Sequence, residues 1–490
     1  MKVLFVASEC APFVKTGGLA DVVSALPKAL KETGASVRVM IPAYPALASL
    51  VASGRELLRE DDGFLGDLRI TAASAEGLEL LLVTAPHLYN RPGNPYLGPD
   101  GRDWPDNHLR FAALGRMAAI VARKGIGRGK SSWRPDVLHA HDWQAGLGPA
   151  FLRLGPPAAA RTVTTIHNIA FQGLFGPEQL ALLNLTPTEF HIEGLEYFGN
   201  ISFLKAGLVW ADRITTVSPT YARELLSPEF GMGFEGILGA RAGDFTGILN
   251  GVDLDVWNPV ADPALAANFG PNDLPERSAN RRELLDRFGL DLGSNAPLFC
   301  VVSRLTRQKG LDMLLEVLPR LLARGAGLVL LGTGDGDLEA GFKAAAADSP
   351  TRIGVRIGYD ESLSHLMQGG ADCIVIPSRF EPCGLTQLYG LRYGCLPLVA
   401  RVGGLADTVI DLNEAARAAG VATGFQFSPT TSTNLASAID RCCDAFRDRE
   451  LWEGMMRRAM RHPVGWDSSA EAYLALYSGL SAVPESGKCI

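Results

Sequence analysis

The chain has 490 residues, too many for one hydrophobic core, so we expect two large domains. Hydrophobic residues make up 47% and charged residues 20%, as in ordinary soluble globular proteins. The net charge of −7 argues against nucleic acid as the main partner, because phosphate backbones bind clustered lysine and arginine. A small anionic ligand is not excluded, since it needs only a local cluster of positive charge.

Cysteine usage and hydropathy bear on location. The eight cysteines are scattered without a CxxC pair, which predicts reduced thiols. The apolar run before Glu9 is too short for a secretory signal, and no run reaches the roughly 18 residues of a membrane-spanning helix. We therefore expect a cytoplasmic protein without a membrane partner.

The first half alternates between predicted strands and helices, which indicates a parallel sheet covered on both faces. Helical periodicity covers Leu19–Lys31 and Leu109–Arg123. The predicted strands are Val3–Ala7, Val37–Ile41, Glu79–Thr84, Val137–Ala140, Thr162–Ile166 and Ile214–Val217.

The second half repeats this scheme, with a predicted helix over Leu311–Leu318. Its predicted strands are Leu298–Ser303, Gly327–Leu331, Ile353–Ile357, Cys373–Ile376 and Leu396–Ala400. The glycine-containing stretch Gly243–Pro259 is the best candidate linker, and Trp466–Ser478 is predicted to be an amphipathic helix.

These patterns predict an α/β fold of two doubly wound, Rossmann-like domains with ligand sites at the carboxyl ends of the strands. We expect an N-terminal domain over residues 1–245 and a C-terminal domain over 246–465. Residues 466–490 would form a helix and tail that pack on the N-terminal domain.

A glycine pair follows the first predicted strand, in Lys15-Thr16-Gly17-Gly18-Leu19-Ala20-Asp21-Val22. A strand that leads through glycines into a helix leaves backbone N–H groups and a positive helix dipole available to an anion. Lys15 adds a cation. Because a similar run recurs at residues 402–409, we expect two similar halves that hold a phosphate.

Two further motifs have tempting interpretations that the spacing does not favour. In Gly332-Thr333-Gly334-Asp335-Gly336 the third glycine is misplaced for a dinucleotide fingerprint, so a tight turn near a mononucleotide is favoured over a dehydrogenase site. His139 and His141 have metal-ligand spacing on a strand, but no third ligand lies at a recognisable distance along the chain. We interpret them as a strand end, with Asp142 facing a cleft.

Several polar side chains follow predicted strands. His167 is a candidate ligand contact, although its residue type alone does not make it a base. Arg304 and Lys309 bring two cations to a helix start, where the dipole disfavours cations unless an anion also binds. Glu381 lies just before a glycine-marked helix start, and a carboxylate beside free amides can bind a polyol. Helix capping and a solvated loop are the alternatives.

Together these motifs resemble the family of bacterial glycogen synthases and plant starch synthases. The resemblance runs almost end to end and rests on KTGGLADVV, HAHDW, TIHNIAFQG, ILNGVD, SRLTRQKG, SRFEPCGLTQLYG and GGLADT. It implies a retaining glucosyltransferase of the GT-B fold. Such an enzyme moves glucose from ADP-glucose to the non-reducing end of an α-1,4-glucan such as glycogen or a maltooligosaccharide, and releases ADP. No cofactor and no metal are implied.

The resemblance also implies residue roles. The donor phosphates are met by Lys15, Gly17, Gly18, Arg304 and Lys309. The donor glucose is contacted by Glu381 and His167 and by the segment Cys383, Gly384, Leu385 and Thr386. Asp142 and Asn250 line the cleft, and Tyr359 packs on adenine. The implied catalytic group is Glu381, Arg304, Lys309, His167, Asp142 and Lys15.

Elementary chemistry agrees with these roles. A fixed cluster of Arg304, Lys309 and Lys15 would stabilise the growing charge of a leaving diphosphate. No convincing second carboxylate stands beside Glu381, which disfavours a glycosidase-like covalent mechanism. Tyr389 occupies the position where many relatives of the wider fold hold the donor ribose with glutamate.

Three alternatives stay open: a UDP-glucose-dependent enzyme, a transferase with a small acceptor, and a non-catalytic glucan-binding protein. The acceptor residues are the least determined part. The candidates for stacking on glucose rings are Trp143, Tyr96, Phe171, Tyr197 and Phe198.

Overall fold

The computed structural model describes residues 1–127, 129 and 132–481. The chain divides into two compact units. One contains the described residues of 1–250 and 466–481, and the other contains Gly251–Gly465.

The first unit is built on a nine-stranded sheet in the order β12-β11-β7-β6-β1-β2-β5-β4-β3. Its strands are β1 (Lys2–Val6), β2 (Ser36–Pro42), β3 (Arg55–Asp62), β4 (Gly66–Ala75), β5 (Leu78–Thr84), β6 (Val137–His141), β7 (Arg161–Ile166), β11 (Arg213–Thr216) and β12 (Phe245–Gly247). A separate three-stranded sheet is formed by β8 (Leu174–Phe175), β9 (Glu196–Tyr197) and β10 (Asn200–Ser202).

The six predicted strands of this unit are all present, and they pair in parallel. The sheet departs from the prediction at both edges. At one edge, β3 and β4 join β5 in antiparallel pairs, and at the other, β12 lies within the predicted linker and pairs in parallel with β11. The edge strand β3 reads RELLREDD and is half-exposed, so it lacks the apolar run that marks the interior strands. Charged edge strands of this kind discourage pairing with other chains.

The helices of the first unit cover both faces of the sheet. They are α1 (Gly18–Glu32), α2 (Ala48–Ser53), α3 (Pro86–Tyr89), α4 (Asn107–Lys124), α5 (Asp142–Ala145), α6 (Leu147–Leu154), α7 (Phe203–Trp210), α8 (Pro219–Glu224) and α9 (Glu235–Ala240). The core between them is aliphatic and includes the fully buried strand residues 3–6.

The second unit has a six-stranded, entirely parallel sheet in the order β15-β14-β13-β16-β17-β18. Its strands are β13 (Leu298–Val302), β14 (Gly327–Gly332), β15 (Ile353–Ile357), β16 (Cys373–Ile376), β17 (Leu396–Ala400) and β18 (Phe425–Phe427). The helices are α10 (Arg277–Phe288), α11 (Leu311–Ala323), α12 (Gly336–Asp348), α13 (Glu361–Gly370), α14 (Thr386–Tyr393), α15 (Gly403–Thr408), α16 (Glu414–Ala419), α17 (Ser432–Arg447) and α18 (Arg449–Arg461).

The last helix, α19 (Asp467–Ser481), belongs to the first unit. The Tyr477 hydroxyl lies 2.7 Å from Nδ1 of His139 on β6, and the Ser469 hydroxyl donates to the Leu249 carbonyl at 2.6 Å. Both contacts are buried or half-buried, so this helix is an integral part of the unit. In residues 1–127, 129 and 132–481, no helix has the length and apolarity needed to span a bilayer.

Candidate active site

Two loops of the second unit pack against each other where their strands end. Residues 303–310 follow β13, and residues 377–385 follow β16. The Arg379 N–H donates to the Gln308 carbonyl at 2.9 Å, and the Gln308 amide donates to the Phe380 carbonyl at 3.3 Å. Gly310 has a φ of +68°, and a Cβ atom there would overlap the carbonyl oxygen of Pro377. The loop contact therefore requires glycine at this position.

This packing joins two of the predicted site residues. The Lys309 ammonium lies 2.6 Å from Oε2 of Glu381, and the Ser378 hydroxyl donates to the same oxygen at 2.9 Å. The side chains of Lys309 and Glu381 are only 17% and 9% exposed. In the part of the chain that the structure describes, Oε1 of Glu381 accepts no hydrogen bond. The carboxylate is thus fixed on one side and has one oxygen available for a ligand hydroxyl.

Arg304 lies on the first of these loops and is exposed. Within residues 1–127, 129 and 132–481, no hydrogen bond or ion pair holds its guanidinium. Two neighbouring arginines are instead paired with carboxylates: Arg379 contacts Asp312 at 2.6 Å, and Arg307 contacts Asp337 at 3.4 Å. Of these three arginines, Arg304 has the full donor capacity for an anion.

A third loop, residues 332–336 after β14, lies beside the first. The Leu305 N–H donates to the Thr333 carbonyl at 2.9 Å, and the Asp335 N–H donates to the Leu305 carbonyl at 2.7 Å. The glycines of this loop thus serve the close approach of two backbones. Tyr359 follows β15, is 74% exposed and donates a hydrogen bond to the Glu361 carboxylate.

The second glycine pair does not present its amides as the sequence pattern predicts. The Gly404 N–H donates to the carbonyls of Pro382 and Glu381 at 3.1 and 3.3 Å. Gly403 has a φ of +43°, and a Cβ atom there would overlap the Glu381 carbonyl. The expectation that this run mirrors the first glycine pair as a phosphate site is therefore wrong. Its function in the fold is to support the loop that carries Glu381.

Sequence reasoning missed Gln387, the second residue of α14. Its side chain is fully buried, and its amide donates to the carbonyls of Cys383 and Gly384 at 2.9 and 3.0 Å. Gly384 has a φ of +71°. These bonds fix the segment that continues through Leu385 and Thr386 into the helix. A lone glutamine inside a helix carries no sequence signal for this role.

In the first unit, the turn before α1 is positioned by a second missed residue, Glu9. It is 3% exposed and accepts hydrogen bonds from the backbone and hydroxyl of Thr16 and from the Tyr96 hydroxyl. Lys15 lies 2.9 Å from Asp21 in an ion pair, so part of its charge is compensated. Gly17 and Gly18 are exposed, and helix α1 begins at Gly18.

Two strand ends of the first unit meet at Asp142. Its Oδ1 atom accepts from the backbone N–H groups of His167 and Asn168, at 2.6 and 3.4 Å. The residue is 7% exposed and has a φ of +54°. Burial raises the pKa of this carboxyl to about 7, against the opposing effect of the two amides. It therefore titrates near neutrality.

Three neighbouring histidines are held neutral. His141 Nδ1 lies 2.9 Å from His167 Nε2, and His139 Nε2 lies 2.6 Å from the Thr165 hydroxyl. Burial lowers the pKa of His139 and His167 to about 3 and moves the pKa of His141 well below its usual value. Both nitrogens of His139 are occupied. The described residues contain no group of three or more His, Cys, Asp or Glu side chains that could hold a metal.

The remaining candidates differ in exposure. Trp143 packs edge-on against Phe111 at 4.8 Å, and Tyr96 is hydrogen-bonded to Ser8 at 2.8 Å, so both serve the fold of the first unit. Phe171 and Phe198 are 52% and 78% exposed.

Two further polar candidates are largely buried. Asn250 is 9% exposed, and its Oδ1 atom has no hydrogen bond among the residues that the structure describes. Tyr389 is 7% exposed and stacks on Trp257, with ring centroids 3.6 Å apart.

Comparison with known proteins agrees with this architecture. A family profile described as "Starch synthase catalytic domain" matches residues 2–240, and one described as "Glycosyl transferases group 1" matches residues 284–453. Glycogen synthases of Roseobacter denitrificans and Cereibacter sphaeroides are 60% and 53% identical, each over 98% of this chain and 99% of their own length.

Solved structures give the same result. The catalytic domain of starch synthase IV from Arabidopsis thaliana, bound to ADP and acarbose, has a TM-score of 0.88 and 30% identity over 98% of this chain and 99% of its own. A sucrose-phosphate synthase from Thermosynechococcus elongatus shares the fold, with a TM-score of 0.60 and 19% identity over 98% of each chain. The predicted family and the two Rossmann-like domains are thus confirmed, and the chain belongs to the family of bacterial glycogen synthases and starch synthases.

Proposed function

We propose that this protein transfers glucose from ADP-glucose to the non-reducing end of an α-1,4-glucan, with retention of configuration and release of ADP. The observation that carries the proposal is the Lys309–Glu381 pair at 2.6 Å, on the same loops as the exposed Arg304. A cation for the leaving group and a carboxylate for the sugar are thereby held side by side.

The reaction breaks the bond between C1 of glucose and the diphosphate oxygen. The oxygen of the acceptor 4-OH bonds to C1, and its proton passes to the departing diphosphate. Arg304 and Lys309 stabilise the negative charge that grows on the diphosphate, which lowers the barrier because this charge is larger in the transition state than in the bound donor. An ammonium has three protons, so Lys309 can contact Glu381 and a phosphate together.

Glu381 is assigned to the hydroxyls of the donor glucose rather than to covalent catalysis. Its Oε2 atom already binds Lys309 and Ser378, which makes this oxygen a poor nucleophile. A retaining glycosidase needs a second carboxylate about 5–5.5 Å away. The loops 303–310 and 377–386 contain no acidic residue besides Glu381.

The other assignments follow the family resemblance. In the first unit, Lys15, Gly17 and Gly18 would contact phosphate, and His167 would contact the donor glucose. Asp142 is assigned to the catalytic group. Support comes from the exposed turn at Gly17 and from the hydrogen bond that joins Asp142 to the His167 backbone.

Further assignments concern Asn250, Tyr359 and the segment Cys383–Thr386. Asn250 is proposed to contact the donor, and Tyr359 the adenine ring. The segment Cys383–Thr386 is proposed to contact the donor glucose, and Gln387 supports it by fixing the Cys383 and Gly384 carbonyls.

Donor identity is tested by incubating the protein and glycogen with ADP-glucose or with UDP-glucose and measuring the released diphosphate. We expect turnover with ADP-glucose. Turnover with UDP-glucose alone would contradict the donor assignment, and transfer only to a small sugar would contradict the acceptor assignment.

A non-catalytic glucan-binding protein would transfer no glucose even as wild type, so site variants would have no transfer activity to lose. Glu381→Ala should abolish measurable transfer while glycogen binding persists. Lys343→Ala is the matched control, because Lys343 is an exposed lysine on α12 that lies 3.9 Å from a glutamate of its own helix. If wild-type protein binds glycogen without transferring glucose from either donor, the binding-protein alternative is correct.

We also propose a cytoplasmic location. It is supported by the cysteines of the described residues, which are buried and form no disulfide bond.

A further inference from the structure

The first unit exposes three apolar side chains close together, which we name the apolar patch: Ile192, Phe198 and Met232. Their exposed fractions are 79%, 78% and 40%. Phe198 lies at the turn between β9 and β10, and a Cβ atom at Gly233, next to Met232, would lie 3.1 Å from the Phe198 ring. Large exposed apolar groups that cluster in this way mark interaction sites more often than isolated ones do.

The backbone at two of these positions is in the left-handed region. Phe198 has a φ of +48° and Met232 a φ of +50°. Bulky side chains rarely adopt this conformation, which favours glycine, asparagine and aspartate. Strained residues of this kind cluster at functional sites, because the surrounding structure must hold them in place. Here the strain coincides with an unfavourable exposure to water.

The frame under the patch is rigid. Tyr197 stacks on Phe234 with ring centroids 4.7 Å apart, and its hydroxyl donates to the Met232 carbonyl. The ammonium of Lys205, a residue that is 7% exposed, donates to the carbonyls of Ile192 and Glu196. The exposed side chains therefore stand on backbone that is fixed by buried polar contacts.

The charge around the patch limits what binds there. The segments 186–200 and 226–236 contain no lysine and no arginine, and their acidic residues are Glu189, Glu193, Glu196, Glu229 and Glu235. Glu196 and Glu235 lie beside the patch, because they accept hydrogen bonds from the backbone N–H groups of Gly199 and Gly233. This acidic rim repels anionic lipid and nucleic acid, and it disfavours a second copy of the same patch. A neutral ligand with many hydroxyls suits it, because carboxylates accept hydrogen bonds from hydroxyls.

The patch is also continuous with the candidate active site of the same unit. The Gln172 amide donates to the Tyr197 hydroxyl at 3.2 Å. Gln172 lies on the loop that follows His167, and Phe171 on that loop is 52% exposed. A chain of apolar and polar groups thus leads from the strand end at His167 to the patch.

From these observations we infer that the apolar patch is a platform for the α-glucan acceptor, on which Phe198 stacks against the C–H face of a glucose ring. The inference rests on the proposed function and extends it to the acceptor. An aromatic ring suits such a face because both surfaces are flat and apolar, while the hydroxyls at the ring edge reach the acidic rim.

The test is Phe198→Asn. Asparagine tolerates the left-handed backbone, so this variant relieves strain while it removes the ring and its edge-on contact with Tyr197. These effects oppose each other, and the variant should unfold at a temperature close to that of wild type. Phe64→Asn is the matched control, because Phe64 is a 54% exposed phenylalanine in the turn between β3 and β4.

Two readouts are measured on the full chain: retardation in native gels that contain glycogen, and the KM for glycogen with saturating ADP-glucose. We expect Phe198→Asn to lose retardation and to raise the KM about three- to thirtyfold, with the KM for ADP-glucose within twofold of wild type. Phe64→Asn should match wild type in both.

Unchanged retardation and an unchanged KM for glycogen in Phe198→Asn would overturn the inference. A change in oligomeric state with unchanged glycogen binding would overturn it too, and would assign the patch to self-association. If wild-type protein shows no glucosyl transfer, the proposed function fails, but the gel still tests the platform independently.

Discussion

The contact between Lys309 and Glu381 makes a quantitative prediction through a double-mutant cycle. Lys309→Met and Glu381→Gln remove each charge with little change in side-chain size. Removing one group that stabilises transition-state charge typically lowers kcat by about 10²–10³, and we expect each single variant to fall in this range. If the two side chains acted independently, kcat of the double variant would fall by the product of the two factors, about 10⁴–10⁶.

The geometry argues against independence. The two charged atoms lie 2.6 Å apart, and their side chains are 17% and 9% exposed, so solvent screens the pair only weakly. Each single variant leaves a largely buried charge without its partner, which adds a penalty that the double variant avoids. Coupling between contacting residues is about 0.5–3 kcal/mol, a factor of about 2–160 in rate. With coupling at the upper end of this range, a product of about 10⁵ falls to a loss of about 10³ in the kcat of the double variant.

The assay is ADP release from ADP-glucose at saturating glycogen, with thermal unfolding recorded for every variant. Lys343→Met is the control, because Lys343 is 59% exposed and lies 3.9 Å from Glu339 on the same helix. It should keep kcat within twofold. Losses that multiply in the double variant would refute the coupling, and a Lys309→Met enzyme with more than a third of wild-type kcat would refute the role of the pair.

Asp142→Asn should raise the free energy of unfolding at pH 8. Burial raises the pKa of the wild-type carboxyl to about 7, so this carboxyl is ionised at pH 8 at a cost in stability, and the gain from asparagine should shrink as the pH falls from 7 towards 4. An equal gain at pH 5 and pH 8 in urea titrations would contradict this cause. His141→Phe should lower kcat about tenfold or more, because it removes the hydrogen bond that holds the His167 ring. The ¹⁵N spectra of histidine-labelled protein should show a changed His167 signal. Unchanged kcat and spectra would exclude a role of His141 in positioning His167. Gly310→Ala should lower stability and activity far more than Gly289→Ala. Both glycines have left-handed backbone, but only Gly310 lacks room for a Cβ atom. Equal unfolding temperatures and equal rates in the two variants would refute the loop-packing argument.

The parallel strands in the interior of both sheets were predictable from the sequence. Runs such as residues 3–6 are apolar and fully buried, and buried parallel strands carry this pattern. The edge strand β3 was missed because its sequence, RELLREDD, has only two apolar residues. The same limit applies to the separate sheet of β8, β9 and β10, whose strands have only two or three residues.

From the sequence, the candidate residues of the site could be named, but their contacts could not. Motif resemblance names Lys309 and Glu381, but their contact depends on two loops 72 residues apart in sequence. The supporting residues Glu9 and Gln387 were missed because their function arises from burial and from backbone partners. The run at residues 402–409 was misinterpreted for a related reason. Similar sequences form an exposed turn at Gly17 and a buried support for a loop at Gly404.

Helix α19 completes the first unit but is synthesised after the second, and its Tyr477 hydroxyl is hydrogen-bonded to His139 on β6. His139 neighbours His141, whose Nδ1 binds His167, so a late-made helix completes the environment of an early-made strand end. Domains fold as units while the ribosome extends the chain, and here residues 251–465 are complete before α19 emerges. The nascent first unit therefore exposes its unfilled helix-binding surface throughout translation of the second, and it acquires its finished core only after α19 has emerged.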